Sequence, residues 1–323
     1  MNLPALTLSD RNRLLWLATL SAAIAAFFVL SGLTADNLAF FLPRRLEKIA
    51  AILVSACCIG YTAITFQTIT NNRILTPSVM GLDSLYLFIQ TIILFFSGSG
   101  KPAMMSDAGN FFLSIGFMIG ASCLLFPMLF GKERKGVFFL LLAGLVTGAL
   151  FQSLATFMQV MMDPNEFLFL QGKMFASFNN INASLLWLCV AICIAAFIVT
   201  CRDYRDFDVL SLGPEQAVNL GLSYRAVVLK SLIVTAVLVS ISTALTGPIA
   251  FLGILTANLS RQLIGSFHHT KTVLGSVLLG CLFLISGQWL VERVFHFGTT
   301  VSVIINFIGG LYFIYLILKE AKA

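Results

Sequence analysis

The sequence predicts an all-α polytopic membrane protein with about ten transmembrane helices. Of its 323 residues, 59% are hydrophobic and only 11% are charged, whereas a soluble domain carries about 25% charged residues. Apolar runs of about 20 residues, the length of a helix that crosses a bilayer, recur along the whole chain. Alternation at strand length is absent, which argues against a membrane barrel and leaves helices to satisfy the backbone hydrogen bonds in hydrocarbon.

Ten apolar runs mark the predicted spans. The first follows Arg11 and Arg13, is long enough to cross the membrane and lacks a cleavage-site pattern, so we expect a span and not a removable signal. The eighth run is short and contains Arg261. In order, the predicted spans are residues 14–35, 48–68, 78–97, 110–130, 136–160, 184–201, 226–245, 249–264, 272–291 and 300–318.

The distribution of basic residues predicts the orientation. An even number of spans places both termini on one side, and fourteen of the 20 lysines and arginines fall on that side. Six fall on the other side, namely Arg44, Arg45, Lys48, Lys101, Lys173 and Arg293. The positive-inside rule therefore places both termini in the cytoplasm. No extramembrane domain stands out, so we expect residues 1–323 to form a single transmembrane domain.

One external segment, residues 161–183, is too polar to be a simple connection between spans. Its Asp163-Pro164-Asn165 sequence predicts a helix stop followed by a cap. We expect a short interfacial helix after this cap, lying across the outer mouth.

A short polar segment, Ser211 to Gly221, interrupts the apolar pattern on the cytoplasmic side. Its two glycines bracket about two turns of helix, and Pro214 suits the first helical position, where the missing N–H costs nothing. An ordinary solvated loop helix is the alternative. The spacing Leu-Gly-x-x-x-Ala-x-x-Leu-Gly and the flanking arginines favour a contact surface for a soluble ATPase, within a coupling block of about residues 206–224. The fixed positions are Leu212, Gly213, Ala217, Leu220 and Gly221.

Several other chemistries are disfavoured. The seven cysteines lie in or beside apolar runs without metal-ligand spacing, and the pair His268-His269 lacks further ligands, so we interpret the histidines as surface residues and expect no metal. Catalytic motifs and a P-loop are absent, so we expect neither an enzyme nor a bound cofactor, and ATP energy must come from a partner. No basic stripe with interleaved aromatic residues suggests nucleic-acid binding.

Two carboxylates near span edges could in principle relay protons. We interpret Asp83 as a cap of the third span near the cytoplasmic surface and Glu292 as a solvated residue. Neither has a second buried acid at helical spacing, which disfavours a relay. The roles of Asp83, Glu292 and Arg73 stay open at this point.

The coupling segment, together with three further motifs, resembles the FecCD-type permeases of ABC importers for iron–siderophore and cobalamin uptake. Residues 41–44 (Phe-Leu-Pro-Arg) resemble the family's Arg-x-Pro-Arg with its first arginine lost. A second family motif is a Gln followed by Asn-Pro-Leu-Ala-x-Pro and then a Gly. It resembles Gln67, residues 72–77 (Asn-Arg-Ile-Leu-Thr-Pro) and Gly81 of this chain, with Arg73 in place of the first proline. Residues 247–254 resemble its Gly-x-Ile-x-Phe-x-Gly-Leu, so the resemblance covers nearly the whole chain.

The resemblance implies a type II ABC importer permease architecture in the cell inner membrane. It implies a cytoplasmic gate at Asn72, Pro77 and Gly81. It also implies docking of a periplasmic or lipoprotein substrate-binding protein at Arg44, Arg45 and Arg293, whose guanidinium groups suit carboxylates.

The implied partners are a cytoplasmic ATPase dimer, a second permease subunit, membrane lipid and a ferric chelate as substrate. The family's Pro-His pair in the eighth span is Ala257-Asn258 here, and its aspartate in the ninth span is Gln288 or Trp289. Because a more typical partner subunit would compensate for these losses, we expect a heterodimer in preference to a homodimer.

The expected function is therefore ATP-driven import of ferric siderophores or related chelates, by alternating access coupled to a separate ATPase. The identity of the chelate is left open. A proton-coupled secondary transporter is the alternative, but it would want paired membrane carboxylates and internal repeats, neither of which is evident.

Overall fold

The apolar runs fold as helices throughout the described part of the chain. The computed structural model describes residues 10–31, 38–97, 107–129, 137–179 and 181–320. Five basic residues used to predict the topology lie outside these ranges, namely Lys101, Lys132, Arg134, Lys135 and Lys322. The helices are α1 (Asp10–Leu30), α2 (Leu38–Ile69), α3 (Asp83–Ser97), α4 (Asp107–Leu129), α5 (Val137–Val160), α6 (Pro164–Lys173), α7 (Ala183–Thr200), α8 (Tyr204–Leu210), α9 (Pro214–Asn219), α10 (Tyr224–Thr246), α11 (Leu252–Ile264), α12 (His269–Arg293) and α13 (Val301–Glu320).

The predicted all-α polytopic fold is confirmed. Among the described residues, nine helices are long and apolar enough to cross a membrane, and each matches one predicted span. The remaining predicted span, 249–264, forms the 13-residue helix α11. At 1.5 Å per residue α11 is about 20 Å long, shorter than a hydrocarbon core of about 30 Å. Most of α11 is buried, so it lies inside the bundle and not against lipid.

Helices α2, α10 and α12 form the interior of the bundle. In the most apolar window of α2, 72% of the residues are buried within the protein, against 11% for α1. Serine and threonine residues are common in this interior, and their hydroxyls donate to carbonyls one turn back, as Thr62 does to Cys58 and Ser240 to Ala236. Such local bonds satisfy many of the polar groups in this interior.

Small residues bring α2 and α12 into close contact. A Cβ atom on Gly60 would lie 3.0 Å from the backbone nitrogen of Val277, and one on Gly280 would lie 3.1 Å from the Cβ of Ala56. Close backbone approach is the usual basis of helix association in membranes, where burial from water supplies no driving force. The crossing fixes the two ends of α12 relative to the two ends of α2.

Helix α6 is the short helix predicted after span five. The Asp163 side chain accepts a hydrogen bond from the backbone N–H of Asn165 at 2.9 Å, and Pro164 occupies the first turn. The predicted helix stop and cap at Asp163 are confirmed.

Candidate functional site

The predicted coupling segment contains the short helix α9, which directly follows the short helix α8 at one end of the bundle, here called the α9 end. Gly213 precedes α9 with φ 105°, and Gly221 follows it with φ 84°. Ala217 is fully buried, whereas Leu212 and Leu220 are 59% and 64% exposed. Exposed leucines on an otherwise polar segment are typical of a contact surface. The segment therefore has one side fixed to the bundle and one apolar side available for contact.

Two sets of polar contacts fix α8, and with it α9, to the bundle. At the start of α8, Lys230 of α10 forms an ion pair with Asp203 at 2.8 Å and also donates to the carbonyl of Val199. Near its end, Asp208 accepts from the backbone N–H and from Nδ1 of His269, both at 2.7 Å. Burial opposes ionisation of Asp208, but the backbone and side-chain hydrogen bonds from His269 outweigh it and lower the pKa of the carboxyl group.

The interpretation of His268-His269 as surface residues is wrong for His269. The side chain of His268 is 49% exposed, but that of His269 is only 3% exposed. Its Nε2 lies 2.8 Å from Oγ1 of Thr68 on α2. The sequence did not reveal this burial, because His269 begins α12 directly after a polar connection. At such a position only the fold shows whether the imidazole faces solvent or the bundle.

The predicted gate residue Asn72 lies in the connection between α2 and α3, beside the α9 end. Its side-chain oxygen accepts from the backbone N–H of Ile74 at 2.7 Å. The carbonyl of Arg73 accepts two hydrogen bonds, from Nε2 of Gln67 at 2.6 Å and from Nδ2 of Asn258 at 2.9 Å. Residues 70–77, here called the gate loop, are thus held from α2 and α11. The side-chain amides of Gln67 and Asn258 stand within apolar runs, and this was the sequence signal for their two hydrogen bonds to Arg73.

The other predicted gate residues, Pro77 and Gly81, lead into α3 through a π-helical turn, Ser78–Leu82. Gly81 has φ 89°, and a Cβ atom there would lie 2.7 Å from the Cα of Gly148 on α5. This position therefore requires glycine both for its backbone conformation and for the close approach of α5.

Asp83 begins α3, as predicted, and it is partly exposed. It lines a small cavity beside Thr62, Thr76 and Thr243, and its Oδ2 is buried without a hydrogen-bond partner among the described residues. The cavity has about 20 Å³ of water-accessible space, enough for about one water molecule. The interpretation of Asp83 as a cap near the cytoplasmic surface stays a prediction.

The predicted docking arginines lie at the opposite end, here called the Arg44 end, around a cavity of about 680 Å³. The guanidinium group of Arg44 lies 4.0 Å from the ring centre of Phe40. Arg45 instead donates to three carbonyls at the end of α1, those of Phe28, Val29 and Ser31. The cavity is lined by Phe41, Arg44, Arg45, Glu47, Lys48, Phe178, Asn179, Ile181, Glu292, Arg293 and Phe297.

Arg293 lies on the same cavity but contacts the end of α1 as well, through one hydrogen bond of 2.7 Å to the carbonyl of Ser31. The structure therefore brings the three arginines together on one mouth. Two of them also stabilise the C-terminus of α1, whose last carbonyls lack partners within the helix.

The interpretation of Glu292 as solvated is wrong, since its side chain is 13% exposed. It forms an ion pair of 2.6 Å with Lys48 and accepts from Nε2 of Gln288 at 2.7 Å. Both Lys48 and Gln288 also donate to Oδ1 of Asn179. The network joins α2, α12 and the segment after α6. The spacing of Gln288 and Glu292 by one helical turn was a signal for it, but Lys48 could be paired with them only from the fold.

Among the described residues, no group of three or more histidine, cysteine, aspartate or glutamate side chains could hold a metal ion. The seven cysteines are unpaired, and those in the bundle interior pack as small apolar residues would.

Comparison with known proteins matches the chain over almost its whole length. The model of the FecCD transport family matches residues 10–319. The petrobactin import system permease protein YclO of Bacillus subtilis strain 168 is 53% identical over 287 residues, which are 89% of this chain and 91% of YclO. The petrobactin import system permease protein YclN of the same strain is 26% identical over 286 residues, covering 85% of each chain.

A solved structure shares the fold. It is described as an inward-facing conformation of a metal-chelate type ABC transporter, and it superposes with a TM-score of 0.83 at 22% identity. The match covers 96% of this chain and 100% of the other. The arrangement of helices is therefore that of an ABC transporter permease.

Proposed function

This chain belongs to the FecCD transport family, and we propose that the chelate it carries is iron-loaded petrobactin. Its relatives are permease subunits of ferric siderophore importers, and the chain is a multi-span permease subunit of such an ABC importer. The observation that carries the petrobactin proposal is the 53% identity to YclO across 89% of the chain.

ATP hydrolysis is proposed to occur on a separate cytoplasmic ATPase dimer that grips α9. The exposed Leu212 and Leu220 support this contact, because they offer an apolar surface on a segment between two spans. The buried Ala217 would pass a push on α9 into the bundle. The gate loop, which contains Asn72 and Pro77, lies at the same end. Together with Gly81 it is proposed to close the inner side of the pathway.

A binding protein is proposed to deliver the chelate at the Arg44 end. Arg44 and Arg293 are the proposed docking residues, with Arg45 contributing mainly by fixing α1 in place. Charged groups at the rim of an interface set the register and the association rate more than the affinity. We also propose that both termini lie in the cytoplasm, as the distribution of basic residues predicts.

The second permease is proposed to be a different subunit of the same family. Bacillus subtilis has two distinct petrobactin permeases, YclO and YclN, and this chain is similar to both but much closer to YclO. A heterodimer with a YclN-like subunit follows by analogy.

Co-purification followed by reconstitution tests the proposal. We expect the tagged chain to bring down a second FecCD-type permease, an ATPase and a substrate-binding protein from native membranes. In vesicles, the complex should import radioiron supplied as ferric petrobactin only when ATP is present on the ATPase side. Import that survives an inactive ATPase but collapses with the proton gradient would instead identify a secondary transporter.

A further inference from the structure

Two hydrogen bonds in series join α8 to the end of α2 through one histidine. On one edge of the His269 ring, Nδ1 lies 2.7 Å from Oδ1 of Asp208. On the other edge, Nε2 lies 2.8 Å from Oγ1 of Thr68. The neutral tautomer with its proton on Nδ1 satisfies both contacts. Nδ1 then donates to the Asp208 carboxylate, and Nε2 accepts a hydrogen bond from the hydroxyl of Thr68. The helix next to α9 is therefore linked directly to α2.

The inner half of this link is shielded from water. His269 is 2% exposed and Thr68 is 5% exposed, and the fully buried Phe207 packs against the imidazole with ring centres 6.0 Å apart. The Asp208 side chain, at the outer end, is 26% exposed. Because water is kept from the contact between His269 and Thr68, a displaced imidazole breaks that hydrogen bond without a water molecule replacing it.

The far end of the link lies next to the gate loop. Thr68 adjoins Gln67, whose side-chain amide donates to the carbonyl of Arg73 in that loop. Nη2 of Arg261, on α11, also lies 3.4 Å from Oγ1 of Thr68. The turn of α2 that receives the link from α8 is thus the turn that holds the gate loop.

Thr68 has two alternative partners, which allows the link to be made or released. Its hydroxyl carries one proton and lies 2.9 Å from the carbonyl of Ile64 and 2.8 Å from Nε2 of His269. If the imidazole moves away, the hydroxyl can donate within its own helix and stays satisfied. An element with two discrete arrangements is what energetic coupling between two sites requires.

We propose that Asp208, His269 and Thr68 form a positioning relay that passes movement of α9 to the gate loop. The proposal rests on the proposed function, since it assumes that an ATPase moves α9. None of the three residues needs to touch the chelate. Their task is to make the state of the gate loop depend on the position of α8.

The first test compares two buried threonines of α2. Thr68→Val removes the relay hydroxyl, whereas Thr62→Val removes a hydroxyl that bonds only to carbonyls of its own helix. In reconstituted complexes we expect Thr68→Val to import at least about fivefold less ferric petrobactin per ATP hydrolysed, the lower range of allosteric coupling. Thr62→Val should stay close to the unchanged complex. An equal ratio of import to ATP hydrolysis in the two variants would overturn the relay.

The second test separates the two edges of the imidazole. His269→Asn can place an amide near Nδ1 and keep the Asp208 contact, whereas His269→Gln can reach towards Thr68 in place of Nε2. A relay needs both edges, so each variant should lower import per ATP although it restores one bond. His268→Asn is the matched control, since that neighbour lies before α12, where asparagine is favoured. The exposed His268 ring contacts the other oxygen of Asp208, at 3.2 Å, and an asparagine amide can keep that contact. Full coupling in both His269 variants would overturn the relay.

A double-mutant cycle excludes a merely local packing effect. Asp208→Asn and Thr68→Val act on opposite ends of one chain, so their effects on import per ATP should not add. Additive effects would mean that the two residues act independently, and would reject the relay.

A gate-loop measurement needs no substrate and so distinguishes the relay from the proposed function. Arg73 is exposed, so R73C offers a thiol to a maleimide, and its labelling can be followed in the isolated peptide by mass spectrometry. With the ATPase bound, labelling should change between nucleotide-free and vanadate-trapped states, and Thr68→Val should abolish that change. If the change persists in Thr68→Val, the relay is rejected while the importer assignment stands. If ferric petrobactin is not imported by the unchanged complex but the change is lost in Thr68→Val, the substrate proposal fails and the relay stands.

Discussion

The two ends of the bundle differ in how far their charged residues are paired. At the α9 end, Asp203 and Asp208 are bonded to α10 and α12, so the carboxylates tie one helix to another. At the Arg44 end, four basic side chains line one cavity with only two carboxylates. Among the described residues Arg44 has no carboxylate within ion-pairing distance.

The difference matches two different mechanical tasks. Movement is transmitted best through buried contacts that are already made, such as those of His269. A partner is recognised best through charges that are not yet neutralised, since rim charges steer association. A single set of helices, α2 and α12, reaches both ends, so each task can affect the other through the bundle.

The largest effect on stability is expected at the turn before α3. Gly81→Ala places a Cβ atom 2.7 Å from the Cα of Gly148 in a backbone conformation with φ 89°. We expect a loss of at least about 3 kcal/mol in unfolding free energy, from strain and overpacking together. Thermal unfolding in detergent measures it.

Gly221→Ala is the matched control, since its φ is 84° but no atom lies within 4 Å of the added Cβ. It should cost only the backbone strain, about 1 kcal/mol. Equal costs at the two positions would mean that the approach of α5 does not matter.

Breaking the ion pair at the Arg44 end should have the next largest effect. Lys48→Met leaves Glu292 buried with only an amide donor from Gln288, and we expect a loss of about 3 kcal/mol in unfolding free energy. The double variant Lys48→Met with Glu292→Gln removes both charges and should recover most of that loss. The comparison of single and double variants is made by thermal unfolding. An additive further loss in the double variant would show that the pair itself is not the source of the effect.

Much of the fold could be predicted from the sequence, because span length and hydrophobicity act locally. Nine predicted spans match helices, and the glycines around α9 and the cap at Asp163 have local signals. The contacts that join distant segments could not be predicted. His269 and Glu292 were both taken for solvated residues, because a polar residue at a helix end looks the same whether it faces water or a partner 200 residues away.

The neighbouring arginines have different proposed roles at the Arg44 end, structural for Arg45 and recognition for Arg44. Arg45→Gln removes charged hydrogen bonds to the last carbonyls of α1, so we expect a loss of about 1–3 kcal/mol in stability. The Arg44 side chain lies on the ring of the exposed Phe40. Arg44→Gln should therefore change the unfolding free energy by less than about 0.5 kcal/mol. Unfolding measurements on the two variants decide whether the distinction holds.

The proposed docking role of Arg44 and Arg293 has a separate test. Arg44→Glu together with Arg293→Glu should slow association of the binding protein by about tenfold or more at low salt, with a smaller effect at high salt. Surface plasmon resonance on nanodiscs measures the rate. An unchanged association rate in properly inserted protein would remove the docking role from this end.

The smallest effect on stability is expected at the most exposed part of the α9 end. Leu212 and Leu220 are more than half exposed, so changing both to serine should alter the unfolding free energy by less than about 0.5 kcal/mol. If the leucines fill pockets on an ATPase, the same variant should lose at least about tenfold in ATPase affinity, because buried apolar anchors dominate interface energies. Ala217→Ser changes a buried side chain on the same helix and gives the converse test, since it should lower stability more than it lowers initial binding. Should the leucine variant bind the ATPase normally, the contact surface would have to lie elsewhere, and the α9 end would lose the one feature that distinguishes it from an ordinary helical turn.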